Sequence, residues 1–354
     1  MRTFNEKRKD KKLIRIGDIT IGGKNDIAIQ SMTNTDTRNL NATINQIAEL
    51  KDQGCDIVRI SVFDKECIQN IPLIKKAVKI PLVADIHYDY TLAIESIKNG
   101  IDKIRINPGN ITDKDHIRAI LNNAREYDVP IRIGVNTGSL PEHLYKIYNG
   151  PTPDAVLHAV KDQVEMFEKY NFDNIVIAAK SSDAMETVQI YRLLNKFFDY
   201  PLHVGVTEAG TLIKGAVKSS IALSILLDEG IADTIRISLT DDPVKEISVA
   251  KDILSFMGIK KYGVNIISCP TCGRTKIDII RLVSEIERRT KNIKKNIDIA
   301  VMGCAVNGIN EAKYADIGIA GGDKKAVLFK KGKKIRTVKE DEIIDELLNE
   351  IEKC

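Results

Sequence analysis

Eight short runs rich in β-branched residues recur through the first 240 positions of the chain, separated by amphipathic stretches. They are DIAIQSM from 26, DIVRISV from 56, PLVADI from 81, DKIRINP from 102, PIRIGV from 130, NIVIAAK from 174, PLHVGV from 201 and TIRISL from 234. Strand-sized runs alternating with helix-sized amphipathic segments are the pattern of parallel strands joined by helical crossovers. Eight such units in about 245 residues match the roughly 250 residues of a (β/α)8 barrel. The expected fold is therefore α/β, a TIM barrel. Ahead of it, LIRIGDITIGG at 13–23 alternates around Gly17-Asp18 and reads as a hairpin placed to cap the barrel bottom. The widest interval follows the fifth run, where TGSLPEHLYKIYNGPTPD forms a loop rich in Pro and Gly, and long loops after barrel strands serve the active face.

The rhythm changes from about residue 262. A strand runs into Cys269, a helix covers 275–290, DIAVMGC forms another strand, a hairpin turns at Lys331-Gly332 and a charged helix follows from Lys339. This reads as a small α+β domain of independent size. The expected boundaries are 1–258 for the barrel with its hairpin and 259–354 for the second domain.

Charge and targeting signals narrow the function. With 53 basic and 49 acidic residues the chain lacks the excess of a nucleic-acid binder, and its one basic cluster, KKGKKIR at 330–336, reads as a turn between strands. The N-terminus has no apolar leader core, and no run approaches the roughly 18 apolar residues of a membrane span. A cytoplasmic enzyme without nucleic-acid or membrane partners is expected. Six cysteines are too sparse for a disulfide framework and are free to pack or bind metal.

The barrel strands themselves carry the functional signal. Strands buried on both faces read as nearly continuous apolar runs, and several of these do not. If Val58, Ile60 and Val62 point outward to the helices, Arg59 and Ser61 point inward. The same alternation turns Asp85 and His87 inward on the third strand and Arg105 and Asn107 on the fourth. It does so for Arg132 and Asn136, Lys180, His203 and Thr207, and Arg236 and Ser238 on the last four. Five cations thus share the interior with one carboxylate of like parity, Asp85. Buried charge costs several kcal/mol unless paired. Two phosphates would satisfy such a set, because guanidinium forks match phosphate oxygens; loop carboxylates such as Asp36 or Glu208 are the structural alternative. Glu208, just past the seventh strand in HVGVTEAG, is placed to act as acid or base or to start a helix.

In the second domain ISCPTCGRT brings Cys269 and Cys272 three positions apart, and MGCAVNGINEA adds Cys304. A zinc ribbon would want a second C-x-x-C pair. Three thiolates leave one metal position for a weaker ligand, which favours an iron–sulfur cluster over zinc. Glu311, seven residues on, is the candidate for that position and Cys354 its rival; Cys55 and Cys67 read as packing residues. The alternative is a zinc-stabilised barrel that binds phosphate ligands without redox chemistry. A pterin-type barrel enzyme would not account for the three thiols.

The order of QSMTNTDT, VRISV, VADIH, KIRINPGN, IRIGVNTGSL, HVGVTEAG, DTIRISLT, SCPTCGRT and GCAVNGINEA resembles the bacterial 4-hydroxy-3-methylbut-2-en-1-yl diphosphate synthases in their two-domain form. The resemblance implies a TIM barrel joined to a [4Fe-4S] domain. It implies two-electron reductive ring opening and dehydration of 2-C-methyl-D-erythritol 2,4-cyclodiphosphate in the deoxyxylulose phosphate route to isoprenoids. On matching positions, Cys269, Cys272, Cys304 and Glu311 would ligate the cluster, with Glu311 yielding to substrate oxygen. Arg59, Arg105, Arg132 and Lys180 would clamp the diphosphate with Asn107, Asn136 and His87, and Glu208 would supply a proton. A ferredoxin or flavodoxin donor and a head-to-tail homodimer are implied as well. One departure is local: the family commonly reads Gly-Pro-Gly-Glu where this chain has Gly308-Ile309-Asn310-Glu311. The turn then forms without proline, with Asn310 a candidate for the left-handed region.

Overall fold

The computed structural model describes residues 3–107, 110–111, 113–305 and 308–353, without the side chains of Ser139, Ile309 and Glu311. The chain divides into two compact units, Met1–Ile259 and Lys260–Cys354. Each is built around its own sheet.

The first unit opens with a hairpin, β1 (Ile14–Ile16) and β2 (Ile19–Ile21), turning through Gly17 at φ 59°. Eight parallel strands follow: β3 (Ala28–Met32), β4 (Ile57–Ser61), β5 (Leu82–Ile86), β6 (Lys103–Ile106), β7 (Ile131–Asn136), β8 (Ile175–Lys180), β9 (His203–Val204) and β10 (Thr234–Ile235). Their order is β8-β7-β6-β5-β4-β3-β10-β9, and a parallel bridge between Ile177 and Leu202 joins β8 to the entrance of β9. The sheet closes as the eight runs anticipate. The last two strands keep only two paired residues each because irregular backbone, at Gly205 and around Arg236, takes over early.

The hairpin seals one end. Ile14, Ile16 and Ile21 pack with Ala28, Ile57, Val83 and Val176 in one apolar cluster, so the deepest interior layer is hydrocarbon and the barrel opens only at its other end. Beneath it Asp233 holds the N-terminal segment, pairing with Arg8 at 2.7 Å and Lys11 at 3.2 Å. One sequence expectation in this unit needs adjustment. The loop after β7 contains a helix, Glu142–Ile147. Its amphipathic turn, with Leu144 buried, is too short to show periodicity among the Pro and Gly around it.

The second unit is a five-stranded sheet in the order β11-β12-β13-β14-β15: β11 (Val264–Ser268), β12 (Ile297–Met302), β13 (Ile317–Gly322), β14 (Lys325–Lys330) and β15 (Lys333–Lys339). The first three are parallel and the last two run antiparallel to their neighbours. Helix Ile279–Thr290 and the terminal helix Ile343–Glu352 contribute Leu282, Ile286, Leu347 and Ile351 to the core on this sheet. Strand β13 escapes the sequence reading because IGIAGG is glycine-rich. Gly318 is required there, since a Cβ on it would come 2.5 Å from Phe329 and 2.7 Å from the Ala300 side chain. Among the described residues no helix is long and apolar enough to cross a membrane.

Candidate active site

Strand alternation delivers the cations to the barrel interior. Arg132 is 2% exposed, Arg105 5%, Lys180 7% and Arg59 9%, and Asp85 and Asn107 are buried with them. In register, Asp85 of β5 lies beside Arg105 of β6, which lies beside Arg132 of β7. Asn136 and Lys180 are neighbours at the ends of β7 and β8. Small residues make the room: a Cβ on Gly134 would sit 2.7 Å from Arg105 Nε, and one on Gly205 would meet the Arg236 carbonyl oxygen and lie 3.4 Å from Lys180 Nζ.

Pairing inside the barrel is incomplete. Asp85 takes Arg105 Nη1 at 3.1 Å and faces Arg59 Nε at 3.9 Å, while Arg59 Nε donates to Met32 Sδ at 3.0 Å. Among the described residues Arg132 and Lys180 have no carboxylate within 4.0 Å. Arg132 Nε and Nη1, Arg105 Nε and Arg236 Nε are buried without a hydrogen-bond partner. The expected alternative of loop carboxylates does not hold: Asp36 forks onto Arg38 at the surface, and Glu208 is exposed.

Electrostatics follow from that deficit. Burial pushes the pKa values of Arg132 and Lys180 well below normal, and neighbouring cations push in the same direction. A lysine can answer by shedding its proton, whereas a guanidinium keeps its charge. Burial alone would raise the Asp85 carboxyl. The charge of Arg59, a hydrogen bond from His87 and the charge of Arg105 instead hold it well below the usual carboxylate range. The cup is thus a preformed anion receptor, with donors aimed inward and too few acceptors to meet them.

The other expected site residues sort by depth. His87 lies just past β5 with its side chain 51% exposed, Nε2 standing 3.3 Å from Arg105 Nη1 and 3.4 Å from Asp85 Oδ2. Asn136, Thr207, Arg236 and Ser238 are half-buried around the open end. His203 departs from expectation. It is fully buried beside Thr234, Nδ1 to Oγ1 2.7 Å, at the level of Ala28 in the sealed half of the barrel. Burial, with Arg132 and Lys180 nearby, drives its pKa well below 6.5 and keeps the ring neutral. Alternation identifies the face a side chain takes but not its depth.

Two buried charged residues lie outside the expected set. Lys103 has the parity of Arg105, is fully buried and donates to Gln30 Oε1 at 3.2 Å; the alternation that picked Arg105 also selects it. Glu246, in the first turn of helix Pro243–Phe256, is a second buried carboxylate, on the helix side of β3. It accepts from Ser31 Oγ at 2.7 Å and Leu239 N at 3.0 Å, and faces Arg236 Nε at 3.7 Å. A helix residue carries no strand parity, so no sequence signal marks it.

Glu208 stands past the end of β9, exposed, with φ 50°. A glutamate in the left-handed region is uncommon and costs of order 1 kcal/mol or more. Gly210 beside it, at φ 99°, allows the chain to turn into helix Leu212–Asp228. The loop holds a carboxyl group at the barrel mouth in a backbone state that glutamate does not favour.

The thiols of the second unit lie at one end of its parallel strands. Cys269 follows β11 and Cys304 lies two residues past β12, and the strands are paired through Ser268 and Val301. The Gly303 amide donates to Cys269 Sγ at 3.2 Å, linking the two thiol-bearing loops. Thr275 Oγ1 accepts from Cys272 N at 3.2 Å and bends the C-x-x-C loop back. Cys272 is exposed, and Cys269 and Cys304 half-exposed. By contrast Cys55 and Cys67 are buried packing residues. Glu311, whose backbone ends the short helix Gly308–Glu311, lies outside the residues whose side chains are described, and Cys354 lies outside the described residues altogether. Among the described residues no three His, Cys, Asp or Glu side chains form a group able to hold a metal ion. Asn310 is helical and not left-handed: without a proline to bar the preceding residue from the α region, the segment closes as a helical turn. Gly308 presses that turn onto the sheet, where a Cβ would come 2.8 Å from Met302 Cβ.

Known proteins place this arrangement. Residues 11–251 match the GcpE TIM-barrel domain and residues 265–353 the GcpE protein C-terminal domain. A relative from Caldanaerobacter subterraneus subsp. tengcongensis, named 4-hydroxy-3-methylbut-2-en-1-yl diphosphate synthase (flavodoxin), is 54% identical over 98% of both chains. One of the same name from Clostridium perfringens is 49% identical over 98% of this chain and 99% of its own. Among solved structures, a type I 3-dehydroquinate dehydratase from Clostridium difficile superposes with a TM-score of 0.52 at 16% identity, covering 71% of this chain and all of that one. A dihydropteroate synthase from Stenotrophomonas maltophilia does so with a TM-score of 0.50 at 12% identity, over 70% and 99%. These two are similar in fold alone. With both units matched in order and half the residues shared along the whole length, the chain belongs to the GcpE family of 4-hydroxy-3-methylbut-2-en-1-yl diphosphate synthases.

Proposed function

We propose that the protein is a [4Fe-4S]-dependent oxidoreductase that reductively opens and dehydrates 2-C-methyl-D-erythritol 2,4-cyclodiphosphate to 4-hydroxy-3-methylbut-2-enyl diphosphate, with flavodoxin or ferredoxin as donor. The observation that carries this reading is the buried, under-paired cation set at Arg59, Arg105, Arg132 and Lys180. A doubly phosphorylated substrate supplies the missing anions. Named relatives that are synthases, and not carriers, favour this over a zinc-stabilised binding barrel. The head-to-tail homodimer belongs to the same proposal, as does division of labour between a substrate barrel at 1–258 and a cluster domain at 259–354.

Within the barrel the guanidinium groups bind and orient the two phosphates, and Asp85 fixes the angle of Arg105 while His87, Asn107 and Asn136 contact the rim of the ligand. Thr207, Arg236 and Ser238 close the opposite wall, with Arg236 positioned by Glu246. Glu208, at the mouth, is the side chain that would pass a proton to the departing hydroxyl or the reduced carbon. Cys269, Cys272 and Cys304 lie on loops at one sheet end, Cys269 already accepting an amide hydrogen bond of the kind that tunes cluster sulfurs, and these three thiols with Glu311 would hold the cluster. When bound, that cluster would relay the donor's two electrons one at a time and offer an iron as Lewis acid.

The ligand assignment is tested by Cys304→Ser. The expected result after anaerobic reconstitution is loss of the iron–sulfur absorption and of substrate reduction, with diphosphate binding retained. A variant that keeps a full complement of iron and sulfide contradicts the assignment.

Glu208 provides a test of opposite signs. Glu208→Gly removes the left-handed strain and raises unfolding stability by up to about 1 kcal/mol, yet slows reduction at least about a hundredfold, within the usual contribution of a general acid. Glu208→Gln keeps the strain and slows reduction alone. Urea unfolding with single-turnover kinetics distinguishes these outcomes from a purely structural glutamate, whose loss lowers stability.

A further inference from the structure

Glu208 keeps a left-handed backbone, φ 50°, although its own side chain is exposed, so neighbouring chain must hold it there. The holding contacts come from the exit of β10. Thr240 N donates to the Gly210 carbonyl at 2.9 Å. Leu239 packs on the start of helix Leu212–Asp228: a Cβ on Gly215 would come 2.4 Å from Leu239 Cδ2 and 3.2 Å from the Gly210 carbonyl oxygen. Residues 239–240 therefore clamp the turn that follows Glu208.

Those two residues belong to no regular element, because β10 ends at Ile235 and the next helix starts at Pro243. Their anchor is Glu246. Its Oε1 accepts from Leu239 N at 3.0 Å, and its Oε2 accepts from Ser31 Oγ at 2.7 Å and faces Arg236 Nε at 3.7 Å. Ser31 is fully buried on β3, and Glu246 is 4% exposed. A first-turn acid gains from the helix dipole at an exposed position. Burying one costs desolvation that the dipole does not require and that three partners have to offset.

We infer that Glu246 is a positioning residue for Glu208. One buried carboxylate ties β3 to the exit of β10, and through Leu239 and Thr240 it fixes the Gly210 turn behind the acid, while the same carboxylate faces Arg236. The inference deepens the reading above and rests on the proton role given there to Glu208. Loosening the tether should lower the rate through Glu208, and removing the charge should weaken binding through Arg236.

Two substitutions separate these effects in the full-length, cluster-reconstituted protein. In Glu246→Gln the amide can accept from Leu239 N and donate to Ser31 Oγ, so the tether survives and the charge is lost. Glu246→Ala loses both. Amide hydrogen exchange at Leu239 and Thr240 should accelerate at least about tenfold in Glu246→Ala and stay near wild type in Glu246→Gln. For the cyclodiphosphate, kcat should fall at least about tenfold in Glu246→Ala. Glu246→Gln should recover most of that loss while its KM stays raised by about threefold. A glutamate that serves folding alone would lower unfolding stability without this split between kcat and KM. Unchanged exchange at Thr240 in Glu246→Ala, or equal kcat in the two variants, overturns the inference. Should Glu246→Ala not fold, Ser31→Ala loosens the tether with the carboxylate in place. A smaller change of the same sign in exchange and kcat is then expected, and no change in either overturns the tether. A wild-type protein that does not reduce the cyclodiphosphate removes the reading above, whereas the exchange contrast judges the tether by itself.

Discussion

Arg132→Met should give a protein that is more stable without ligand, by about 1–4 kcal/mol, and nearly unable to bind a diphosphate. The two effects have one cause. Arg132 is 2% exposed, with Nε and Nη1 unpartnered and no carboxylate within 4.0 Å among the described residues. Replacing an uncompensated buried charge by an apolar side chain of similar volume relieves its desolvation cost. The same change removes two charge-assisted hydrogen bonds to the ligand, at about 1.5–3 kcal/mol each, which is at least about a hundredfold in affinity. Chemical denaturation and calorimetric titration on one preparation check both signs. A destabilised variant would mean that Arg132 is already paired in the empty barrel.

Asp85→Asn should do the reverse to stability. Asp85 is the acceptor for Arg105 at 3.1 Å and lies 3.9 Å from Arg59; removing one member of a buried pair leaves the cations without compensation and costs about 3–5 kcal/mol. The pH dependence has a definite sign. Because its pKa is lowered in the folded chain, the contribution of Asp85 is complete above the ordinary carboxylate value near about 4 and fades as pH falls toward the lower folded value. Wild type should therefore lose stability on acidification below that point, and Asp85→Asn should lose less. Urea unfolding at neutral pH and in mild acid gives both slopes; equal slopes would show that Asp85 is not held ionised by its neighbours.

How much of this is visible in the residues alone depends on periodicity. Alternation of two per strand placed Arg59, Asp85, Arg105, Arg132 and Lys180 inside the barrel, and the structure buries all five. It gives direction without depth, so His203 is expected at the mouth and lies in the sealed half. It is also silent about helices: Glu246 of helix Pro243–Phe256 faces Arg236 from the helix layer, which strand parity cannot register. Strand β13 is hidden for a different reason. Its glycines serve close packing against Phe329 and Ala300, and glycine is a poor marker of strands. In the second unit the spacing of the cysteines brings the thiol loops to one sheet end, and the Gly303 amide to Cys269 contact adds the link that no spacing specifies.

The unequal burden of charge inside the barrel is tested most directly by a calorimetric titration with 2-C-methyl-D-erythritol 2,4-cyclodiphosphate. One-to-one binding is expected, accompanied by proton uptake, because the lowered pKa of Lys180 rises when an anion arrives beside it. That binding should vanish in Arg132→Met and fail with the phosphate-free methylerythritol. Equal affinity for the phosphate-free polyol, or full diphosphate affinity in Arg132→Met, would contradict it.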